Sequence, residues 1–217
     1  MEGSTIYLYQ WFALMAVFSL AVISPGPDFV LAVRNSIVYS RRIGIMTAIG
    51  FGFGIIVHVT YTLLGMAAVI ASSIFLFAAI KYAGAAYLIY LGWQALRSRG
   101  AGQVAVEQAL SAGGARASIT SWQAVRSGFL TNILNPKATL FFLAIFSQII
   151  RVDTPPVWQV GYGLTCAFMV TGWFSIVSVV LTQGRVRSLF LRATKWIDRT
   201  CGALMIALGI KVALSAR

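Results

Sequence analysis

Six stretches of this chain, at about residues 6–24, 43–70, 73–96, 126–150, 157–181 and 196–214, are apolar over the length needed to cross a bilayer. A span takes about 20 mainly apolar residues. A chain of 217 residues that holds six of them keeps almost nothing for a domain in water. Composition agrees: 59% of the residues are hydrophobic and 10% are charged, with a mean hydropathy of +0.84. Soluble domains carry about 25% charged residues. The expected fold class is an all-α polytopic membrane protein in contact with the lipid bilayer.

Two breaks interrupt these runs. Ser24-Pro25-Gly26-Pro27-Asp28 closes the first span. Each proline lacks an N–H, clashes with the preceding turn and pushes its predecessor out of the α region, so no helix continues through it. In hydrocarbon such a break survives only where protein or a water-filled cavity satisfies the freed backbone. The second break, Asn135-Pro136-Lys137, starts about ten residues beyond Arg126. At 1.5 Å per residue that is about 15 Å deep, near the middle of a core about 30 Å thick. Asparagine is a favoured N-cap and proline a favoured first helical residue, which predicts a half-helix beginning here. Lys137 then lies at the positive end of a helix dipole and needs an anion. Two partners are open: Asp28 in a fixed ion pair, or a substrate carboxylate of the kind that broken helices in transporters bind. The proline-broken helices of spans 1 and 4 make Ser24, Asp28, Asn135 and Lys137 the candidate transport site, with Pro25, Gly26, Pro27 and Pro136 as the breakers.

His58 is the one histidine, and it falls with Gly50, Gly54, Tyr61 and Gly65 on one face of the second span. It is either a hydrogen-bonded packing residue or a ligand for substrate or proton. No cysteine or carboxylate stands at ligand spacing from it, so no metal site is expected, and no cofactor. Gly50-x-x-x-Gly54 allows close approach of another helix and permits a homodimer. Cys166 and Cys201 lie in separate spans without a C-x-x-C pair and read as apolar fillers.

The net charge of +12 invites a nucleic-acid reading, but its distribution answers to the positive-inside rule instead. The loops after spans 1, 3 and 5 hold twelve arginines and lysines, from Arg34 through Arg116 to Arg199. The opposite side holds four, Lys81, Arg151, Lys211 and Arg217. That asymmetry puts the odd-numbered loops in the cytoplasm and both termini outside. Met1 to Thr5 has no basic n-region, so the first span is read as retained.

The expected organisation is a three-span repeat over 1–99, a flexible Gly/Ala/Ser-rich cytoplasmic linker over 100–121 and a second three-span repeat over 122–217. Gly84-Ala85…Leu91-Gly92 echoes Gly202-Ala203…Leu208-Gly209. Three spans per repeat is an odd number, so the second copy enters the membrane inverted, a recurring plan in secondary transporters.

Ser24-Pro25-Gly26-Pro27-Asp28, together with Gly128-Phe129-Leu130-Thr131-Asn132 running into Asn135-Pro136-Lys137, resembles the lysine exporter and homoserine/threonine resistance (LysE/RhtB) superfamily. The ending Lys195-Trp196-Ile197-Asp198…Gly202-Ala203-Leu204 is similar to that of its threonine-exporter members. The likeness covers nearly the whole chain apart from the linker. It implies a bacterial inner-membrane exporter of small amino acids, with six spans, driven by the proton motive force and not an enzyme. It carries the motif roles onto Ser24, Pro25, Gly26, Pro27, Asp28, Asn135, Pro136 and Lys137. Asp28 then suits the substrate ammonium and proton coupling; Lys137 and the free N–H groups after Pro136 suit the substrate carboxylate. The rivals are a membrane thiol-redox protein working through Cys166 and Cys201, and a passive channel.

Overall fold

The computed structural model describes residues 2–72, 74–98, 101–111, 118–149 and 154–214, and these form nine α-helices and no strand. The chain enters α1 (Glu2–Ile23), turns into the short α2 (Pro27–Val38) and returns through α3 (Arg41–Ser72) and α4 (Ile74–Arg97). After α5 (Ala101–Ser111), the pair α6 (Ser121–Ile133) and α7 (Pro136–Ile149) meets at a bend of 56°. The long α8 (Pro156–Val180) and α9 (Gly184–Leu214) complete the bundle.

The helix ends follow local chemistry. The Ser24 N–H still bonds back to the Leu20 carbonyl at 3.2 Å, and then the prolines stop α1. Gly26, in extended backbone, is the N-cap of α2; Pro27 stands in its first turn with Asp28 beside it. Thr120 and Gln123 close a reciprocal capping box at the start of α6, at 3.2 and 2.8 Å. Pro155 and Pro156 open α8, the second at a position whose missing N–H would have been unpaired anyway.

Among the described residues, three stretches suit a membrane crossing by length and composition: Ser4–Ile23, Arg41–Gly65 and Pro156–Val180. The bent α6–α7 pair makes a fourth if it counts as one span. The sequence reading expected six; α4 and α9, which it also counted, are not among these. In the stretch 196–214 of α9 the reason is visible, because Asp198, Arg199 and Lys211 interrupt the apolar run.

The core is aromatic, with Phe18, Phe29, Phe51, Phe141, Phe142 and Phe174 buried. Phe51 meets Phe174 edge-on at 5.0 Å between centroids, and Phe18 meets Phe142 at 5.4 Å. The outside carries large apolar side chains as well, among them Phe12, Leu64, Phe75, Phe168 and Trp196. A helical membrane protein turns such side chains to lipid.

Small residues set the closest contacts. A Cβ on Gly92 of α4 would lie 2.5 Å from the Gly202 carbonyl oxygen of α9, and one on Gly202 would lie 2.6 Å from that of Gly92. On α3, a Cβ at Gly50 would collide with the Val125 carbonyl of α6, and one at Gly54 with the Asn132 side chain. The Gly50-x-x-x-Gly54 face, expected from sequence to let another helix approach closely, receives α6 of the same chain.

The stretch read as a flexible linker also differs. Over Ala101–Ser111 it forms α5, whose Ala105, Val106 and Ala109 are buried. Gly102 lets α5 close on Phe29 and Thr194, to which a Cβ would come within 3.3 and 3.0 Å. Alanine and glycine carry little hydropathy, so this packing face was faint in sequence. Residues 112–117, with Arg116, and Arg99, Arg151 and Arg217 of the charge argument lie outside the described residues.

Candidate functional site

The two breaks meet. Asp28 at the start of α2 faces the end of α6, where the Asn132 amide nitrogen donates to one carboxylate oxygen at 2.6 Å. The Asn135 amide nitrogen donates to the other at 3.2 Å. The Asn135 side-chain oxygen accepts the Lys137 backbone N–H at 3.0 Å, capping α7 as its position before Pro136 predicts. One asparagine thus ties the start of α7 to the acid at the start of α2.

Lys137 does not pair with Asp28 among the described residues. Its ammonium donates to the Ser24 backbone carbonyl at 2.8 Å. That carbonyl is one of the acceptors left without an intrahelical partner at the end of α1. The cation therefore satisfies one broken helix, while the neutral amides of Asn132 and Asn135 hold the anion. Of the two partners open in the sequence reading, the fixed ion pair is not the arrangement found.

Two cavities adjoin this cluster, and Ser24, Gly26, Asn135 and Lys137 line both. The smaller, about 50 Å³, is bounded by Asp28, Asn132 and the rings of Phe18, Phe141 and Phe142. A water needs at least about 10–15 Å³ by this measure, so there is room for a few waters and not for an amino acid. The larger, about 760 Å³, reaches from Pro25, Pro27 and Pro136 to Tyr87, Trp93, Ser98 and Asp198.

His58 lines neither cavity. It is fully buried, its ring lies parallel to Phe142, and both nitrogens are engaged. Nε2 lies 2.9 Å from the Asn132 carbonyl and Nδ1 2.6 Å from the Tyr61 hydroxyl. A carbonyl only accepts, so Nε2 carries the hydrogen and, in the neutral ring, Nδ1 accepts from Tyr61. Of its two sequence readings, the packed and hydrogen-bonded one matches this placement: His58 braces the backbone of Asn132, which in turn holds Asp28.

Two polar residues escaped the sequence reading of the site. Asn132 stands three residues before Asn135 at the same helix end. Asp198 sits between Lys195 and Arg199 and looks like part of a solvated charge run, yet it is 1% exposed. Its spacing was the available signal: Thr194, Asp198, Cys201 and Met205 recur every three or four residues, and all four are buried. Cys166 and Cys201 are both buried free thiols, on α8 and α9. Among the described residues no group of three His, Cys, Asp or Glu could hold a metal.

Residues 19–216 match the family model described as LysE type translocator. The chain belongs to the LysE type translocator family. It is accordingly a transporter and not an enzyme. This translocator is 30% identical over 211 residues to the threonine efflux protein of Escherichia coli (strain K12), covering 96% of this chain and 99% of the relative. It is 28% identical over 208 residues to the threonine efflux protein of Salmonella typhi, covering 96% and 99%. A homoserine/homoserine lactone efflux protein of Salmonella typhimurium is 27% identical over 217 residues, with 95% and 97% covered. No solved structure matches the translocator.

Proposed function

We propose that this chain is a bacterial inner-membrane secondary transporter that exports small amino acids of the threonine and homoserine kind, driven by the proton motive force. The carrying observation is that Asp28 and Lys137 are gathered at two helix breaks without neutralising each other. A zwitterion needs an anion for its ammonium and a cation or helix N-terminus for its carboxylate. Asp28 supplies the first. Lys137 and the start of α7 supply the second. The efflux relatives favour the same substrate class.

Proton coupling uses Asp28. The carboxylate holds either the substrate ammonium or a proton, so a proton arriving from outside displaces the ammonium and the amino acid leaves. The proton is then released to the cytoplasm before the next substrate binds. The smaller cavity opens and closes in this cycle, since at about 50 Å³ it holds no amino acid.

The membrane arrangement we propose is six spans in two inverted repeats, with both termini outside. Support comes from α4 and α9, the third span of each repeat. Gly92 abuts Gly202, and Gly209 abuts Ala85, next to Gly84. Superposing Gly84-Ala85 on Gly202-Ala203 and Leu91-Gly92 on Leu208-Gly209 carries the first contact to within one residue of the second.

Inside-out vesicles test the reading. With an acidic interior they are expected to accumulate labelled threonine or homoserine above the outside concentration, and an uncoupler is expected to abolish this. Uptake that only equilibrates, whatever the gradient, would identify a passive channel.

A further inference from the structure

We infer that Asp198, held by Ser98, is a second ammonium-binding station for the substrate, in the larger cavity that Lys137 also lines. The inference rests on the exporter reading and adds a residue and a cavity to it.

Asp28 lines only the smaller of the two cavities and Asp198 only the larger, while Lys137 lines both. The lysine therefore has a carboxylate available on each side, and each carboxylate with Lys137 makes a pair of opposite charges suited to a zwitterion. Only the larger space, about 760 Å³, falls in the range of small-molecule sites as it stands. A substrate that reaches Lys137 through it meets Asp198 before the Asp28 cavity has opened.

The state of Asp198 argues for a mobile cation rather than a fixed one. One carboxylate oxygen accepts the Ser98 hydroxyl at 2.7 Å. The other is buried and, among the described residues, accepts no hydrogen bond. A buried carboxylate oxygen without a donor is costly, and a fixed cation would ordinarily remove the penalty. Neither basic residue described in the cavity wall serves. Lys137 donates to the Ser24 carbonyl, and the Arg97 guanidinium stacks over Trp93, 4.3 Å from its centroid. A primary ammonium, delivered with the substrate, supplies the missing donor.

The cycle then has two stations with one shared cation. The amino acid first sits with its ammonium on Asp198 and its carboxylate on Lys137. When the smaller cavity opens, the ammonium passes to Asp28 while the carboxylate keeps Lys137.

The test is the concentration dependence of threonine export in inside-out vesicles, for the full chain and three variants, each checked for folding by its melting profile in detergent. Asp198→Asn is expected to raise the KM for threonine about tenfold, the worth of one hydrogen bond to a charged group, with Vmax largely kept. Ser98→Ala keeps the charge but loosens it, and a smaller rise, about threefold, is expected. Asp198→Glu is expected to recover part of the lost affinity, as a purely structural role would not. Should Asp198→Asn fail to fold, Ser98→Ala decides alone. An unchanged KM in the folded variants, or a fall in Vmax at constant KM, overturns the second station and leaves the exporter reading intact. A wild-type protein that moves neither threonine nor any other amino acid overturns both.

Discussion

The Asn132 amide nitrogen lies 2.6 Å from a carboxylate oxygen of Asp28, joining the end of α6 to the start of α2 across 104 residues of sequence. The acid is held by a neutral donor, so its charge stays available to a cation. His58 fixes the Asn132 backbone from behind, and Gly54 leaves the space its side chain fills.

Asn132→Ala should weaken threonine binding by roughly ten- to a hundredfold, since a hydrogen bond to a charged group contributes about 1.5–3 kcal/mol. Asn132→Asp should do more harm, by setting a like charge beside Asp28. Calorimetric titration of the purified protein in detergent measures both. Wild-type affinity in a folded Asn132→Ala variant would remove the asparagine from the site.

The combination of Asp28→Asn with Lys137→Met separates a static ion pair from two substrate contacts. Breaking a buried ion pair on one side costs about 3–5 kcal/mol, and removing both charges restores stability. Here the ammonium rests on the Ser24 carbonyl and the carboxylate on two amides. Each single variant is therefore expected to lose transport, and the double variant to stay inactive. Recovery of transport in the double variant would replace the two-ended grip with a structural salt bridge.

Glycines at helix crossings should be intolerant, and outward ones should not. A Cβ at Gly128 would fall on the Thr47 carbonyl of α3, whereas Gly161 and Gly172 have nothing within 4 Å. Gly128→Ala is expected to destabilise by about 1–3 kcal/mol through overpacking. Gly161→Ala and Gly172→Ala should be neutral or stabilise by about 0.5–1 kcal/mol, because alanine is the better helix former. Melting of the three variants in detergent ranks them.

Orientation is tested at position 116, where the basic asymmetry expects the cytoplasm. A cysteine placed there, in a chain with Cys166 and Cys201 replaced by serine, should resist a membrane-impermeant thiol reagent in intact cells. Rapid labelling of the folded protein would invert the topology.

Much of the local structure could be read from the chain, because it depends on neighbours within a turn or two. Pro25 and Pro27 end a helix wherever they stand, and Asn135 before Pro136 opens one; the ends observed at Ile23, Pro27 and Pro136 follow from that. The apolar runs announced a membrane protein for the same reason, since hydropathy sums residues one at a time. The small residues of α5 escaped, because alanine declares little about whether it will be packed.

The sequence by itself determined that an acid and a base would stand at two helix breaks. Only the tertiary structure decided what each would touch. Asp28 turned to Asn132 and Asn135, Lys137 to the backbone of Ser24, and His58 to the wall behind them. Asp198, framed by basic neighbours in sequence, was carried inward by the packing of α9 against α4. The physical reason is one of range. Helix breaking is settled within a few residues, whereas the partner of a buried charge depends on which helices cross there, and close packing sets those crossings over the whole bundle.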